Sequence, residues 1–389
     1  MDIACRAALV LAAAMGVASC LAADGPTPAS PIRDAMVDRV LVRSYGAIAD
    51  RYITPVQDFA PLSEEAIRSV AAIDSQLSVQ ERDGALLLFN GDKLVAQRPR
   101  PADGRDGPAW GEATATMVRA AMETSASLRA AGRDRVLRAA LDGTLRKLDR
   151  NSRYSDPLEA RDNRFSRDGD GGIGITVESE NDQTVVRAVQ TGAPASDSGV
   201  RVGDRIVSVD DRRVAGRSMR DVVRALRGRV GTSVTMGVFR PDEGRELSFN
   251  IRRAYIIPTT VTYERRGDIA HIKLTGFNKS TPESLKAALE KAQTEIGAEL
   301  AGIILDMRDN PGGLLDRTIT AAGMLLDGGT VLTTEGRHSD SRMTFRASGG
   351  VLLPRVPMVA LVNGRSASAA EILGAALQDR GRAVLVGST

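Results

Sequence analysis

Between residues 170 and 255 the hydrophobic pattern is broken into short pieces, and that stretch constrains the fold more than any other. GGIGITVES, TVVRAVQ and DRIVSVDDRRV alternate apolar and polar residues, and SVTMGVFR and ELSFNIRRA repeat the pattern. One segment departs from it: SMRDVVRALRG spaces its apolar residues as an amphipathic helix. Strands this short are stable only when paired into one sheet with a covered face. The stretch therefore predicts a small αβ module of its own, with the helix late in the order.

The flanks follow other periods. Upstream, MVDRVLVRSYGAIADRYI, a second stretch from Ser63, and residues 112–149, ending in RVLRAALDGTLRKLDR, have helical spacing. Between them GALLLFNGDKLVAQ predicts a hairpin turning at Asn90-Gly91, and Arg98–Pro108 a surface loop. Downstream, strand and helix alternate. DIAHIKLTGF, AGIILDM, VPMVALVNG and AVLVG predict strands, whereas ESLKAALEKAQTEI, LDRTITAAGMLL and AAEILGAALQ predict helices, which is an α/β layered arrangement.

Composition excludes several functions. The chain has 389 residues, 42% hydrophobic and 26% charged, which is neither disordered nor a multi-pass membrane composition. A net charge of +3, with bases and acids interspersed and 3% aromatics, argues against nucleic acid as a partner. Cys5 and Cys20 are the two cysteines, so the body of the protein has no disulfide framework and no cysteine metal site. His271 and His338 are the two histidines, too few for a three-histidine zinc site. The pattern IAHIKL makes His271 a strand residue, and EGRHSD puts His338 in a loop. No metal or cofactor is expected.

The N-terminus has the pattern of an export signal. Arg6 precedes the apolar run Ala7–Ala18, which is too short to span a bilayer core needing about 20 residues but suits a secretory signal. Val17-Ala18-Ser19-Cys20 resembles a bacterial lipobox, with Cys20 as the lipidated first mature residue and a possible membrane anchor. Plain cleavage near Ala22 or Ala23 is the alternative. Residues 21–31, rich in Ala, Pro and Ser, read as a linker. The expected location is the bacterial periplasm or cell-envelope membrane.

Two motifs in the last segment carry chemistry: ILDMRDNPGG at 304–313 and NGRSASAAEILGAALQDRGRAVLVG at 363–387. Ser368 falls where a buried strand turns into a helix, so its hydroxyl lies at the positive end of a helix dipole, which favours a developing oxyanion. Ala367, Ala369 and Ala370 let a peptide backbone approach closely. Gly312-Gly313 follow another strand, where a glycine turn can aim N–H groups at the same point. Ser368-Ala-Ala-Glu371 is equally a capping box, and Ser366 is the rival serine.

Two resemblances complete the reading. GIGI with VRVGDRIVSVDDRRV resembles a PDZ domain, a family that binds the C-terminal carboxylate of a peptide through a glycine-containing loop and adds the peptide as a strand. By that resemblance Gly172, Ile173, Gly174 and Ile175 form the carboxylate loop, and Val222 and Leu226 line the pocket for the last side chain. With KLDRNSRYSDP ahead of the module, the two later motifs resemble the C-terminal processing peptidases, or tail-specific proteases. KLDRNSRYSDP departs from that family's LDPHS pattern at Arg150 and Asn151. The resemblance implies a serine endopeptidase with Ser368 as nucleophile, the N–H of Ala369 and of Gly312 or Gly313 as oxyanion hole, and Glu371 and Asp379 as supports of the site. The family's base is a lysine. None of the six lysines, Lys93, Lys147, Lys273, Lys279, Lys286 and Lys291, matches it, and its expected position lies beyond Thr389. The chain as given is therefore expected to be inactive. A non-catalytic PDZ protein that binds tails, with an inert peptidase-like domain, is the alternative.

The fold expected is an α+β multidomain protein. Its parts are a signal peptide (1–20), a linker (21–31), a mainly helical N-terminal region (32–165), a PDZ domain with a small β-barrel-like sheet and a helix (166–255), and an α/β layered serine peptidase domain (256–389). Protein or peptide substrates bound by their C-termini are the expected partners; the oligomeric state stays open.

Overall fold

Helical spacing before residue 150 becomes five helices and one small sheet. A computed structural model describes residues 31–388 and divides them into two units, the first comprising residues up to Ala49 with Val56–Ser152, the second Asp50–Pro55 with residues from Arg153 onward. The export signal, Cys20 and nearly all of the linker lie outside the described residues. Among the described residues no helix is long and apolar enough to cross a membrane.

In the first unit, α1 (Pro31–Arg51) and α2 (Ala60–Ala71) are followed by β1 (Leu77–Arg82), β2 (Ala85–Asn90) and β3 (Lys93–Pro99), then α3 (Gly107–Thr124), α4 (Ala126–Ala131) and α5 (Arg133–Arg146). Asp106 and Ser125 cap α3 and α4 through their side chains. The expected hairpin is β2–β3. The strand β1 falls in a region read as helical: LSVQER alternates too briefly to be separated from its neighbours until it pairs with β2. Tyr45, Phe59 and Trp110 are fully buried, and the Tyr45 hydroxyl bonds Thr144 Oγ1 at 3.1 Å. Burial pushes the Tyr45 phenol up to about 12.

The second unit opens with α6 (Pro157–Asp168), capped by Asp156. The sequence reading assigned most of α6 to the N-terminal region. The structure ties it instead to the PDZ domain, where Asp162 accepts from Arg224 at 3.2 Å and Arg227 at 2.9 Å. The elements that follow are β4 (Asp170–Gly172), β5 (Ile175–Glu180), β6 (Gln183–Val189), α7 (Pro194–Asp197), β7 (Arg205–Val209), β8 (Arg212–Arg213), α8 (Met219–Leu226), β9 (Ser233–Arg240) and β10 (Arg245–Arg252). The sheet order is β10-β9-β7-β6-β5, with β8 beside β7, so β5 is an edge. Val186, Val222, Met236, Val238 and Ile251 fill its core. Beside them Arg240 and Asp204 form a buried two-contact pair at 2.8 and 2.9 Å, and Arg240 also donates to Gly199 O.

A short strand, β11 (Ala254–Ile256), pairs with β4 and leads into the last domain. There β12 (Val261–Arg266), β13 (Ile269–Leu274), α9 (Thr281–Ile296), β14 (Gly302–Asp306), α10 (Leu315–Leu325), β15 (Thr330–Thr334), β16 (Met343–Arg346), β17 (Met358–Val362), α11 (Ala369–Asp379) and β18 (Val384–Gly387) follow in order. The sheet runs β12-β13-β14-β17-β18, parallel except for the antiparallel edge strand β12. Buried side chains of α9, α10 and α11, among them Leu289, Leu325 and Leu373, share one core with the sheet. The carboxyl ends of β14 and β17 lie side by side, and both motifs leave the sheet there, where α/β sheets typically place their sites. The antiparallel pair β15–β16 encloses His338 in the expected polar loop.

Candidate active site

Ser368 stands at the junction of the loop after β17 with α11. It is solvent-exposed, and its backbone has φ 53° and ψ −114°, outside the regions a serine ordinarily occupies. Such a conformation costs about 1–3 kcal/mol and has to be held by its surroundings. Part of that hold is Glu371, whose carboxylate accepts the Ser368 N–H at 2.7 Å. Ser368 and Glu371 thus face each other as the capping box the sequence suggested. The Glu371 half is a formed hydrogen bond; the hydroxyl half approaches the Glu371 N–H without a full cap hydrogen bond.

The glycine loop is pressed against this turn. A Cβ on Gly312, whose φ is +95°, would lie 2.8 Å from Ala369 N and 2.9 Å from Ser368 Cβ, so no other residue fits there without displacing the serine. Asn310 fastens the two loops together. Fully buried, it donates from Nδ2 to Leu274 O at 2.8 Å, accepts the Gly312 N–H on Oδ1 at 2.8 Å, and accepts the Ala367 N–H on its backbone oxygen at 2.9 Å. Ser366 has a bracing position: its hydroxyl donates to Met307 O at 2.8 Å and accepts the Asn363 N–H at 3.0 Å. Asn363 in turn bonds Asp309 in both directions, at 3.0 and 2.8 Å. The rival serine is consumed in structure, which leaves Ser368 with the accessible hydroxyl.

The backbone N–H groups around Ser368 differ in whether they are already bonded. Gly312 spends its N–H on Asn310. Gly313 is pinned beside Phe277, which accepts the Leu314 N–H and donates to Gly312 O, and among the described residues nothing accepts the N–H of Gly313 or of Ala369. Ala369 follows Ser368 directly, and Gly313 follows the Gly312 that is pressed against it. The sequence named Gly312 and Gly313 together; in the structure the Gly312 N–H is taken, whereas those of Gly313 and Ala369 are not. Nothing local in the sequence showed that Asn310 would claim Gly312.

Other residues fall elsewhere. Asp379 ends α11, about 16 Å along the helix from Ser368 at 1.5 Å per residue, and is exposed. Asp306, at the end of β14, is 2% exposed and carries Arg308 at 2.6 and 2.8 Å; that pairing holds its carboxyl down at about 2. His271 sits in β13 as expected, with Nε2 3.4 Å from Asp306 and Nδ1 3.6 Å from Glu264. No lysine bonds Ser368 among the described residues; Lys279, Lys286 and Lys291 pair with Asp168, Glu290 and Glu295. Among the described residues no group of three His, Cys, Asp or Glu is placed to hold a metal.

The second site is a cavity of about 750 Å³ beside the edge strand β5. The loop Gly172–Ile175 forms one wall. Gly174 has φ +80°, and a Cβ there would meet Ala193 Cβ at 2.2 Å, so glycine is required. The carbonyls of Ile173 and Gly174 are taken by Ala195 and Gln190. No acceptor for the N–H of either residue is found among the described residues. Ile175, Val177, Val223 and Leu226 make the apolar wall. The expected Val222 is instead fully buried in the domain core, one residue out of phase with the cavity, and Val223 takes its place.

Comparisons with known proteins give matches to both domains. Residues 268–389 match the model of peptidase family S41, and residues 185–240 that of a PDZ domain. The chain is 37% identical over 256 residues to the carboxy-terminal-processing protease of Bartonella bacilliformis, covering 65% of this chain and 59% of that protein. It is 32% identical over 261 residues to a probable CtpA-like serine protease of Staphylococcus aureus, covering 66% of this chain and 51% of the relative. It thus spans between half and three-fifths of the length of these curated relatives. Among solved structures it is similar to a photosystem II D1 C-terminal processing protease, at 20% identity, TM-score 0.39, with 90% of this chain and 80% of that one covered. A segment matching a PDZ domain thus stands ahead of one matching peptidase family S41, and the chain is similar to the carboxy-terminal-processing proteases over about two thirds of its length.

Proposed function

We propose that this protein is a serine endopeptidase that takes hold of substrates by their C-terminal tails and hydrolyses peptide bonds by a Ser-Lys mechanism. The observation that carries the proposal is the strained, exposed Ser368 flanked by two unspent N–H groups, those of Gly313 and Ala369. The Ser368 hydroxyl attacks the scissile carbonyl carbon while its proton passes to a neutral lysine amine. The carbonyl oxygen, now an anion, receives the two N–H groups; donors of this kind are each worth about 10²–10³ in rate. Collapse of the tetrahedral intermediate expels the amine, which takes the proton back from the lysine, and water then hydrolyses the acyl-serine. The lysine is assigned to sequence following residue 389 in a longer protein, because Lys279, Lys286 and Lys291 are paired with acids, Lys273 lines the other cavity, and the relatives are longer. Tails bind along β5 with the terminal carboxylate on the N–H groups of Ile173 and Gly174. Export, and anchoring through a lipid on Cys20, belong to the same proposal and are tested by whether Cys20→Ala leaves the membrane fraction.

The test of catalysis is cleavage of an unfolded protein by the 389-residue chain and by the chain extended with its natural downstream sequence. The extended protein cleaves and the shorter one does not; Ser368→Ala and substitution of the added lysine each abolish cleavage. Efficient cleavage by the short chain that survives Ser368→Ala overturns both the nucleophile and the base.

A further inference from the structure

The tail cavity is lined on one side by the PDZ domain and on the other by the peptidase sheet, through Thr262, Lys273 and Thr275. Two cations, Arg227 and Lys273, line it, and no aspartate or glutamate does. Arg227 is already committed, because its guanidinium pairs with Asp162 at 2.9 Å and stacks on the Phe165 ring at 3.6 Å. Lys273 is exposed on β13 and forms no direct ion pair among the described residues. The carboxylate it influences, Asp309, is held by Arg365 at 2.7 Å and by Asn363. Lys273 therefore lines a groove that has no acid of its own, and Asp309, the carboxylate it acts on, is shared with Arg365. The next residue along the strand, Leu274, is the one bonded by Asn310, so Lys273 stands where the tail groove meets the loops of Ser368.

We propose that Lys273 reads an acidic side chain in the substrate tail, a few residues upstream of the terminal carboxylate. The inference rests on the reading of this cavity as the tail site and adds a substrate class to it: tails ending in an apolar residue preceded at short range by Asp or Glu. A bound tail advances about 3.3 Å per residue along β5, so residues near its end pass the lysine while the last side chain occupies the apolar wall. Charge complementarity here selects among tails and is expected to be sensitive to salt.

The experiment measures binding of fluorescent peptides to the full chain by anisotropy. The peptides share an apolar last residue and differ in carrying Glu or Gln at each of the second to fifth positions from the end. Each is made with a free and with an amidated C-terminus. The wild-type protein should prefer one Glu peptide over its Gln counterpart by about two- to fivefold at low salt, the range for a solvent-accessible ion pair. Lys273→Gln should abolish that preference, and Lys273→Glu should reverse it in favour of a Lys-bearing peptide. Amidation should weaken binding to all three proteins alike. Equal binding of acid and amide defeats the tail-site reading itself. Discrimination of acid from amide with no Glu preference, or with a Glu preference that survives Lys273→Gln, overturns only the assignment to Lys273.

Discussion

Replacing Asn310 by alanine should damage the peptidase domain more than its single side chain suggests. The amide makes two hydrogen bonds to backbone groups in its buried surroundings, to Leu274 O and from Gly312 N, each at 2.8 Å. Truncation leaves both groups unpaired, at about 1–3 kcal/mol apiece, so the expected loss is about 2–6 kcal/mol. That is a large share of the 5–15 kcal/mol typical of a domain. Fluorescence cannot report it, because the chain's one tryptophan, Trp110, lies in the first unit. Hydrogen exchange read by mass spectrometry can. Peptides covering residues 300–314 and 363–380 should exchange roughly 30- to 10⁴-fold faster where exchange follows the opening equilibrium, a factor of ten per 1.4 kcal/mol. The N–H of Ala367, which bonds the Asn310 backbone oxygen, should be among those affected. Asn363→Ala is the comparison: that side chain also links the two loops but is only half-buried, and water can replace it. If Asn310→Ala accelerates exchange no more than Asn363→Ala, the assignment of Asn310 as the buried fastener is wrong.

Three further outcomes are expected. Gly174→Ala should abolish binding of free-acid peptides while thermal unfolding of the rest of the protein stays near wild type, because the added Cβ meets Ala193 and displaces the loop; unchanged affinity, measured by calorimetry, would remove the loop from the tail site. Asp306 is held below its ordinary value by Arg308, so its contribution is full above about pH 4 and is lost as pH falls toward 2. The acid limb of the peptidase domain's unfolding, followed by circular dichroism, should flatten in Asp306→Asn. In the first unit, burial and the neighbouring Glu81 push Glu64 up to about 7, so this group favours the fold below its unfolded value and progressively disfavours it as pH rises toward 7. Trp110 fluorescence during urea unfolding should show that decline, and Glu64→Gln should remove it.

Much of the site was legible locally. A glycine loop after one strand and a small-residue turn before a helix declare their chemistry in a few adjacent residues, because positive φ and close backbone approach restrict which residues can stand there. The PDZ domain was legible for the same reason, its short alternating runs and glycine turns being features of neighbours in sequence. Less legible was α6, whose polar residues gave no sign that Asp162 would pair with Arg224 and Arg227, more than sixty positions later.

What sequence alone determined, then, is most of the elements and which loops carry Ser368, Gly312-Gly313 and Gly172–Ile175. Tertiary structure decided which groups in those loops remain free to react. Asn310 takes the Gly312 N–H and leaves that of Gly313; Met307 O takes the Ser366 hydroxyl and leaves that of Ser368. Likewise the rotation of α8 puts Val222 in the core and Val223 in the groove. The physical reason is common to all three. A backbone N–H, a hydroxyl or a helix face is equally available in the sequence wherever it occurs. Only the packing of distant segments determines which of them finds a partner inside the protein and which is left for a substrate.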